Sequence, residues 1–205
     1  MTVILNNLKI SFIFFLTIFF FDSPDFPAPN NSSVYTVKIE FKSSYNYIPI
    51  PFTVKDYVGF KNFLGFFESG SNYNKVNRFG YMGKYQFGKE TLKIYGVRNL
   101  SDYKSNPALQ EEVFLMNVMR NKWILRREIS WYSNRYLNGI YVSQSGIIAA
   151  AHLSGPGNVK KYLRSHCDPD LNKRDANGTS ISDYINIFKD YNLENIPAVR
   201  KPKRN

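Results

Sequence analysis

A run of twelve residues, Ile10 to Phe21, is apolar apart from Ser11 and Thr17 and stops abruptly at Asp22, Ser23, Pro24 and Asp25. A segment apolar on every side has no solvated face, so it makes a poor helix for a globular core. A membrane span needs about 20 apolar residues, and extending the run back to Val3 crosses Lys9, Asn7 and Asn6. Residues 1–27 therefore read as a signal peptide, with an uncleaved N-terminal anchor through residues 4–21 as the alternative. Phe26, Pro27, Ala28 and Pro29 stand where small residues would mark cleavage, and no cysteine follows that could carry a lipid. Whatever this chain folds into must be built from the remainder. That remainder is expected in the periplasm, the cell envelope or the extracellular space.

Charge narrows the partner. The chain carries 27 Lys+Arg against 16 Asp+Glu, a net charge of +11. Removal of residues 1–27 takes away Lys9, Asp22 and Asp25 and raises the charge to +12. Such a balance favours an anionic partner: nucleic acid, a membrane surface or an acidic polymer. Export disfavours cytoplasmic nucleic acid and favours a cell-envelope polymer. With one Cys and two His, the sequence excludes a disulfide framework and a Cys/His zinc site. No metal or cofactor is expected, and Cys167 reads as an inert thiol.

At roughly 150 residues per domain, the exported part suits one domain. Residues 28–52 read as a linker, Pro/Asn/Ser-rich at its start, with one short strand where Tyr35, Val37, Ile39 and Phe41 alternate with polar residues. From Thr53 the pattern turns helical. Thr53 to Asp56 resembles a capping box, and Phe60, Phe63, Leu64 and Phe67 recur at i, i+3, i+4 and i+7 in a helix that ends at Glu68, before Gly70. Further helices are expected over 86–95, closed by Gly96, and from the Asn106-Pro107 cap through Leu125 to Arg126 and Arg127. Others follow over 143–153, up to the Gly155-Pro156-Gly157 break, and from Val159 to Leu163. A last helix starts near Ser180 or Ser182. Asp168, Asp170 and Asp175 hint at a calcium loop but fail its spacing, so a turn and a helix cap are the better reading. Residues 53–196 are thus a compact, mainly α multi-helix domain, and residues 197–205 a basic, disordered tail.

Glu68 is the residue on which chemistry can be built. It ends an aromatic helix, where apolar neighbours and the negative end of the helix dipole both favour the protonated acid. A proton held that way suits a general acid working near neutral pH. Glu68-Ser69-Gly70 leads to Gly83-Lys84-Tyr85-Gln86, and about sixty residues later to Ala149-Ala150-Ala151-His152-Leu153-Ser154-Gly155-Pro156-Gly157-Asn158-Val159. These three blocks, in this order, resemble the lytic transglycosylases of the lysozyme-like superfamily. That family shows Glu-Ser at a helix end, then Gly-Leu-Met-Gln, then Ala-Ala-Tyr-Asn-Ala-Gly-Pro-Gly-x-Val. The resemblance spans residues 55–165.

It implies an α+β lysozyme-like fold, acting as a monomer on peptidoglycan glycan strands, with Glu68 as the single catalytic acid. In that family one Glu protonates the glycosidic oxygen between N-acetylmuramic acid and N-acetylglucosamine. The same Glu then activates the sugar's C6 hydroxyl to close a 1,6-anhydro ring, so no second carboxylate is needed, unlike in most glycosidases. Glu90, Glu111, Glu112 and Glu128 read as solvated helix faces and offer no such partner. The resemblance makes Gln86 a contact to a substrate amide and His152 a substrate contact in place of the family's Tyr. Tyr85 becomes a sugar-stacking or packing ring, and Ser69 a residue that orients Glu68 or caps the turn. Tyr81 and Phe87 read as core. Three other functions stay open: a hydrolytic muramidase on the same fold, a glycan-binding domain in which His152-Leu153 marks lost catalysis, and an exported basic nucleic-acid binder. The last has no known motif to support it.

Overall fold

Asp56 starts the first helix. Its carboxylate accepts hydrogen bonds from the amides of Val58 (2.8 Å) and Gly59 (3.1 Å), and α1 then runs Tyr57–Ser69. The cap is thus Asp56 itself, whereas a box opened by Thr53 was expected. The structure is a computed structural model that describes residues 54–204. The expected signal segment, the linker and the Tyr35–Phe41 strand lie outside the described residues. α1 buries Phe60 and Leu64 completely and leaves Phe66 and Phe67 about half exposed. Gly70, at φ 69°, ends it in the left-handed conformation, and the amides of Gly70 and Ser71 return to the carbonyls of Phe66 and Gly65.

Among the described residues the domain is mainly helical, with eight α-helices and one two-stranded hairpin. After α1 come α2 (Lys89–Ile94), α3 (Leu100–Ser105), α4 (Pro107–Ile124) and α5 (Arg126–Tyr132). The hairpin pairs β1 (Arg135–Leu137) with β2 (Ile140–Val142), antiparallel, with Tyr136 opposite Tyr141. Then follow α6 (Gln144–Ser154), α7 (Pro156–Arg164) and α8 (Ile181–Ile187). Caps explain most boundaries. Asn106 accepts from the Leu109 amide (3.0 Å) ahead of Pro107, and Ser143 accepts from the Gly146 amide (3.0 Å). Ser180 and Asp183 form a reciprocal capping box on α8.

Five local features differ from the sequence reading, the first being α3, which it did not place. The 86–95 helix begins only at Lys89, because Gln86 has φ 47° and Met82 pairs with Phe87 in a tight antiparallel bridge. The long helix breaks at Leu125, so Arg126 and Arg127 open α5 instead of closing α4. The hairpin was not anticipated, although Asn138-Gly139 carries its signal. Both residues have positive φ (46° and 79°), as a two-residue hairpin turn between twisted strands requires. The basic tail also packs. Val199 donates its amide to the Met119 carbonyl (3.1 Å), and the Arg200 guanidinium lies 5.2 Å from the Trp123 ring centre. Apolar and aromatic surface on α4 holds a segment that composition alone marked as disordered.

α6 is the central post. Ile147, Ile148, Ala149, Ala150 and Ala151 are all buried, and α4, α7 and α8 pack around them. Small residues let the neighbouring backbones come close. A Cβ on Gly146 would lie 2.6 Å from the carbonyl oxygen and 3.0 Å from the Cα of Ile185 on α8. Gly157, on α7, has nothing within 4 Å. Gly146→Ala therefore should lower unfolding free energy by about 1–3 kcal/mol through overpacking, despite a helix-propensity gain of about 1 kcal/mol. Gly157→Ala has only the propensity gain and should be neutral to stabilising. Urea unfolding of the two variants checks this opposition.

Candidate functional site

A groove of about 750 Å³ opens beside the C-terminal end of α1. Glu68, Gln86, His152 and Asp175 all line it, as do Lys75 and Tyr81. Three chain segments far apart in sequence therefore meet at Glu68: the loop after α1, the end of α6 and the turn before α8.

Glu68 is mostly enclosed, with 17% of its side chain exposed. The buried Tyr184 on α8 donates its hydroxyl to Glu68 Oε1 at 2.5 Å. Burial, and secondarily the neighbouring Glu68 charge and this hydrogen bond, push the Tyr184 phenol far above its ordinary range. Tyr184 is therefore a fixed donor at any physiological pH. Among the described residues Glu68 Oε2 accepts no hydrogen bond. One carboxyl oxygen is anchored and the other is left for a proton or a ligand.

His152 sits under the same carboxylate. Its Nε2 is 2.9 Å from the Tyr85 carbonyl oxygen and 3.8 Å from Glu68 Oε1. The carbonyl can only accept, so Nε2 carries the proton and Nδ1 is bare. Nδ1 is buried with no hydrogen-bond partner among the described residues. Burial lowers the imidazole pKa, against the opposing pull of Glu68 and the Tyr85 carbonyl. The ring is thus neutral near pH 7. It packs edge-on against Phe87 (5.0 Å) and Phe114 (5.8 Å), half core residue and half groove floor.

Gln86 lines the groove with its amide nitrogen tied to the Gly83 carbonyl at 2.9 Å. Ser69 and Tyr85 do not line the groove. The Ser69 hydroxyl is buried, within 3.0 Å of the Gly65 carbonyl and 2.8 Å of the Lys84 carbonyl, and it accepts from the Asn72 amide. It staples the end of α1 to the 83–86 loop. The Tyr85 ring has no exposed surface, stacks on Phe114 at 3.9 Å, and gives its hydroxyl to Glu111. A sugar cannot reach it. Phe87 is core as expected, whereas Tyr81, also read as core, is 46% exposed and lines the groove.

Glu111 is the largest departure. Read as a solvated face, it is instead the hub of a partly buried network that receives Lys61 (2.7 Å), Lys84 (2.8 Å), Tyr73 (2.7 Å) and Tyr85 (2.9 Å). Burial alone would raise its pKa. Hydrogen bonds from Lys61, Lys84 and Tyr73 and the Lys84 charge outweigh that and hold the carboxyl at about 2. The neighbouring Gln110 on α4 clamps the same loop. Its side-chain oxygen accepts from the Lys84 amide (2.8 Å), and its nitrogen donates to the carbonyls of Tyr73 and Tyr103. Gly83 is at φ 81°, and a Cβ there would strike Gln110 Oε1 at 2.2 Å. Glu128 is also no solvated face: it is fully buried and paired with Arg164 at 2.6 Å.

The Asp175 turn is closed by its own carboxylate, which accepts from the amides of Asn177 (2.9 Å) and Thr179 (2.8 Å) through Oδ1. Oδ2 has only the Asn177 side-chain nitrogen at 3.5 Å. A second carboxylate thus lines the groove from a turn, where the sequence reading weighed only helical glutamates. No cluster of three or more His, Cys, Asp or Glu able to hold a metal ion occurs among the described residues. Cys167 is buried, which pushes its thiol up to about 11. No helix among the described residues is long and apolar enough to cross a membrane. Comparison of the chain with protein-family models, with curated proteins and with solved structures finds no match in any of the three.

The Glu111 network makes stability pH-dependent. A carboxyl that titrates near 4.5 when unfolded and about 2 when folded stabilises the fold fully above the first value. That contribution is lost as pH falls through the second. Glu111→Gln should cost about 3 kcal/mol at pH 7 by leaving Lys84 without its counter-charge. It should also flatten the decline of stability between pH 5 and about pH 2. Thermal melts across that range test both effects.

Proposed function

We propose that the protein is an exported peptidoglycan lytic transglycosylase-like enzyme in which Glu68 is the general acid and base. The observation that carries the proposal is the groove in which Glu68, Gln86 and His152 meet, with Glu68 Oε1 held by Tyr184. A carboxyl held on one oxygen and unengaged on the other is suited to deliver a proton to a glycosidic oxygen and take one back. Oxygen departure from the sugar leaves an oxocarbenium-like centre, and the same carboxylate, now a base, draws the proton from the C6 hydroxyl that closes the ring. Gln86, whose side chain lines the groove and is tied to the Gly83 carbonyl only through its nitrogen's contact at 2.9 Å, is the polar group available to acetamido or hydroxyl substituents, while His152 supports Glu68 from beneath. The +12 charge of the chain without residues 1–27 suits a polymer that bears carboxylates.

Incubation of the full chain with purified peptidoglycan should release fragments ending in 1,6-anhydro sugars. Glu68→Gln should reduce release by at least about 10³-fold, because the proton donor is gone. Equal release by the variant would take Glu68 out of the catalysis and end the proposal, and binding of peptidoglycan with no release by either protein would place the chain among glycan-binding domains.

Hydrolysis by a muramidase route has one observation in its favour, the Asp175 carboxylate in the same groove. An ionised partner could activate water in place of the sugar's own hydroxyl. Reducing-end products that disappear in Asp175→Asn would establish that route. Anhydro products unaffected by Asp175→Asn are the expected result, since Asn keeps the side-chain oxygen that closes the turn.

A further inference from the structure

α5 and the hairpin that follows it carry aromatic surface at the opposite end of α6 from His152. β2 leads directly into α6, and His152 stands in the last turn of that helix, so most of its eleven residues, about 16 Å of helix, separate hairpin from groove. Trp131 on α5 is 47% exposed and Tyr136 on β1 is 74% exposed. α5 ends at Tyr132 and β1 begins at Arg135, so the backbones at Trp131 and Tyr136 lie within about 17 Å of each other round one corner. Register fixes which way the hairpin faces. Leu137 and Val142 are buried, and alternation sends Tyr136 and its cross-strand partner Tyr141 to the outer face, with ring centres 5.3 Å apart.

Ring geometry argues against a stacked ligand. A base or a sugar lies on a ring face, and a strand of them needs successive faces in line. Here the rings cross, Trp131 against Tyr132 at 84° and Tyr136 against Tyr141 at 57°, and the Arg164 guanidinium lies 5.8 Å from the Trp131 ring centre. Crossed rings with polar tips suit a layer that is apolar below and wet above, the headgroup region of a bilayer. The charges agree. Arg127 stands one turn before Trp131 on the same face of α5, Arg135 precedes Tyr136, and Lys161 stands one turn before Arg164 on α7. Among the described residues none of these three has an ion-pair partner, whereas Arg164 is spent on the buried Glu128. Asp168 and Asp170, in the turn after Cys167, are the exposed acids on the same segments and leave the balance positive. The apolar run Ile10–Phe21 is joined to the domain by about thirty residues, whose greatest reach is about 110 Å. Such a run held in a bilayer would keep the domain beside it, where even a modest lipid-binding face is effective.

We infer that Trp131 and Tyr136, with Arg127 and Arg135, dock the domain on the surface of an anionic lipid bilayer. The rings enter the headgroup layer and the cations pair with lipid phosphates. Trp123 and Trp131 are the two tryptophans of the chain, so full-chain Trp123→Phe reports on Trp131 alone. With vesicles of phosphatidylcholine containing phosphatidylglycerol, its emission should move to shorter wavelength and be quenched by lipids brominated near the headgroup end of the acyl chain. Titration of that quenching against lipid gives a docking constant. Adding Arg127→Gln should weaken docking about fivefold on the anionic vesicles, the loss of one cation near a charged surface, and leave docking on phosphatidylcholine alone unchanged. Adding Tyr136→Ser should weaken docking on both lipids about tenfold, as expected for a lost buried ring. Thermal melts check that each variant is folded, and vesicle-induced slowing of hydrogen exchange over residues 126–142 gives the same reading in the unsubstituted chain. A chain that floats with the vesicles while Trp131 stays unquenched is held by its N-terminal run alone, which overturns the inference. Quenching undiminished in both Arg127→Gln and Tyr136→Ser overturns it as well. A Trp131 response to a hexamer of N-acetylglucosamine or to oligothymidine, and none to vesicles, assigns the face to a stacked polymer and overturns it too. Arg127→Gln should release peptidoglycan fragments at the parent's rate, so failure of docking leaves the Glu68 reading in place.

Discussion

Lys84 carries its charge into the seam between α1 and α4, where only 5% of its side chain is exposed, and meets Glu111 there at 2.8 Å. Taking an ammonium and a carboxylate out of water costs several kcal/mol per ion unless nearly every donor and acceptor is satisfied. Here they are. Lys84 Nζ also reaches Asn62 and Tyr73, and Glu111 also receives Lys61, Tyr73 and Tyr85. The arrangement requires a gap in the helix surface, which Gly65 supplies: a Cβ there would sit 2.5 Å from Lys84 Cε. The two residues after Lys84 in the chain are Tyr85, whose carbonyl holds His152, and Gln86, which faces the groove. A buried ion pair is weak evidence for net stability, but it specifies one register of this loop against α1 and α4. The groove inherits that register.

The same logic of opposed faces runs through the site. Adjacent residues in sequence part company in space. Glu68 turns toward the groove while Ser69 turns into the core to staple the loop, and Gln86 faces the groove while Tyr85 stacks beneath it. Chemistry and support part because successive side chains diverge around the last turn of α1, and because Gln86, at φ 47°, turns away from Tyr85. Tyr184, 116 residues after Glu68, completes the carboxylate's surroundings only because α8 packs against α6 at the bare backbone of Gly146.

Much of the fold was legible from residues alone. Caps at Asn106, Ser143 and Ser180, the glycine stops at Gly70 and Gly96, and the small-residue run of α6 place most helices, because those signals act within one turn of the chain. Of the groove, the sequence reading assembled Glu68, Gln86 and His152 from three separated blocks. It missed Asp175, Tyr81 and Tyr184. A carboxylate in a turn, an aromatic in a loop and a tyrosine in a short helix look the same from sequence whether they face a groove or solvent. The Asn138-Gly139 hairpin was readable and overlooked. Glu111 and Glu128 were misread for a physical reason: an acid is placed on the solvated face by default, and only its partners, Lys84 and Arg164, make burial affordable.

By itself the sequence determined the helical class of residues 54–204, several of the caps and glycine stops that bound its helices, and an acid at the end of an aromatic helix. These depend on hydrogen bonds and periodicities spanning a few residues. Tertiary structure alone decided which neighbours that acid would have, which aromatics would be buried and which exposed, and which charges would leave water. Those outcomes depend on contacts between segments up to 116 residues apart, and the desolvation of a charge is settled only when every group packed around it is in place.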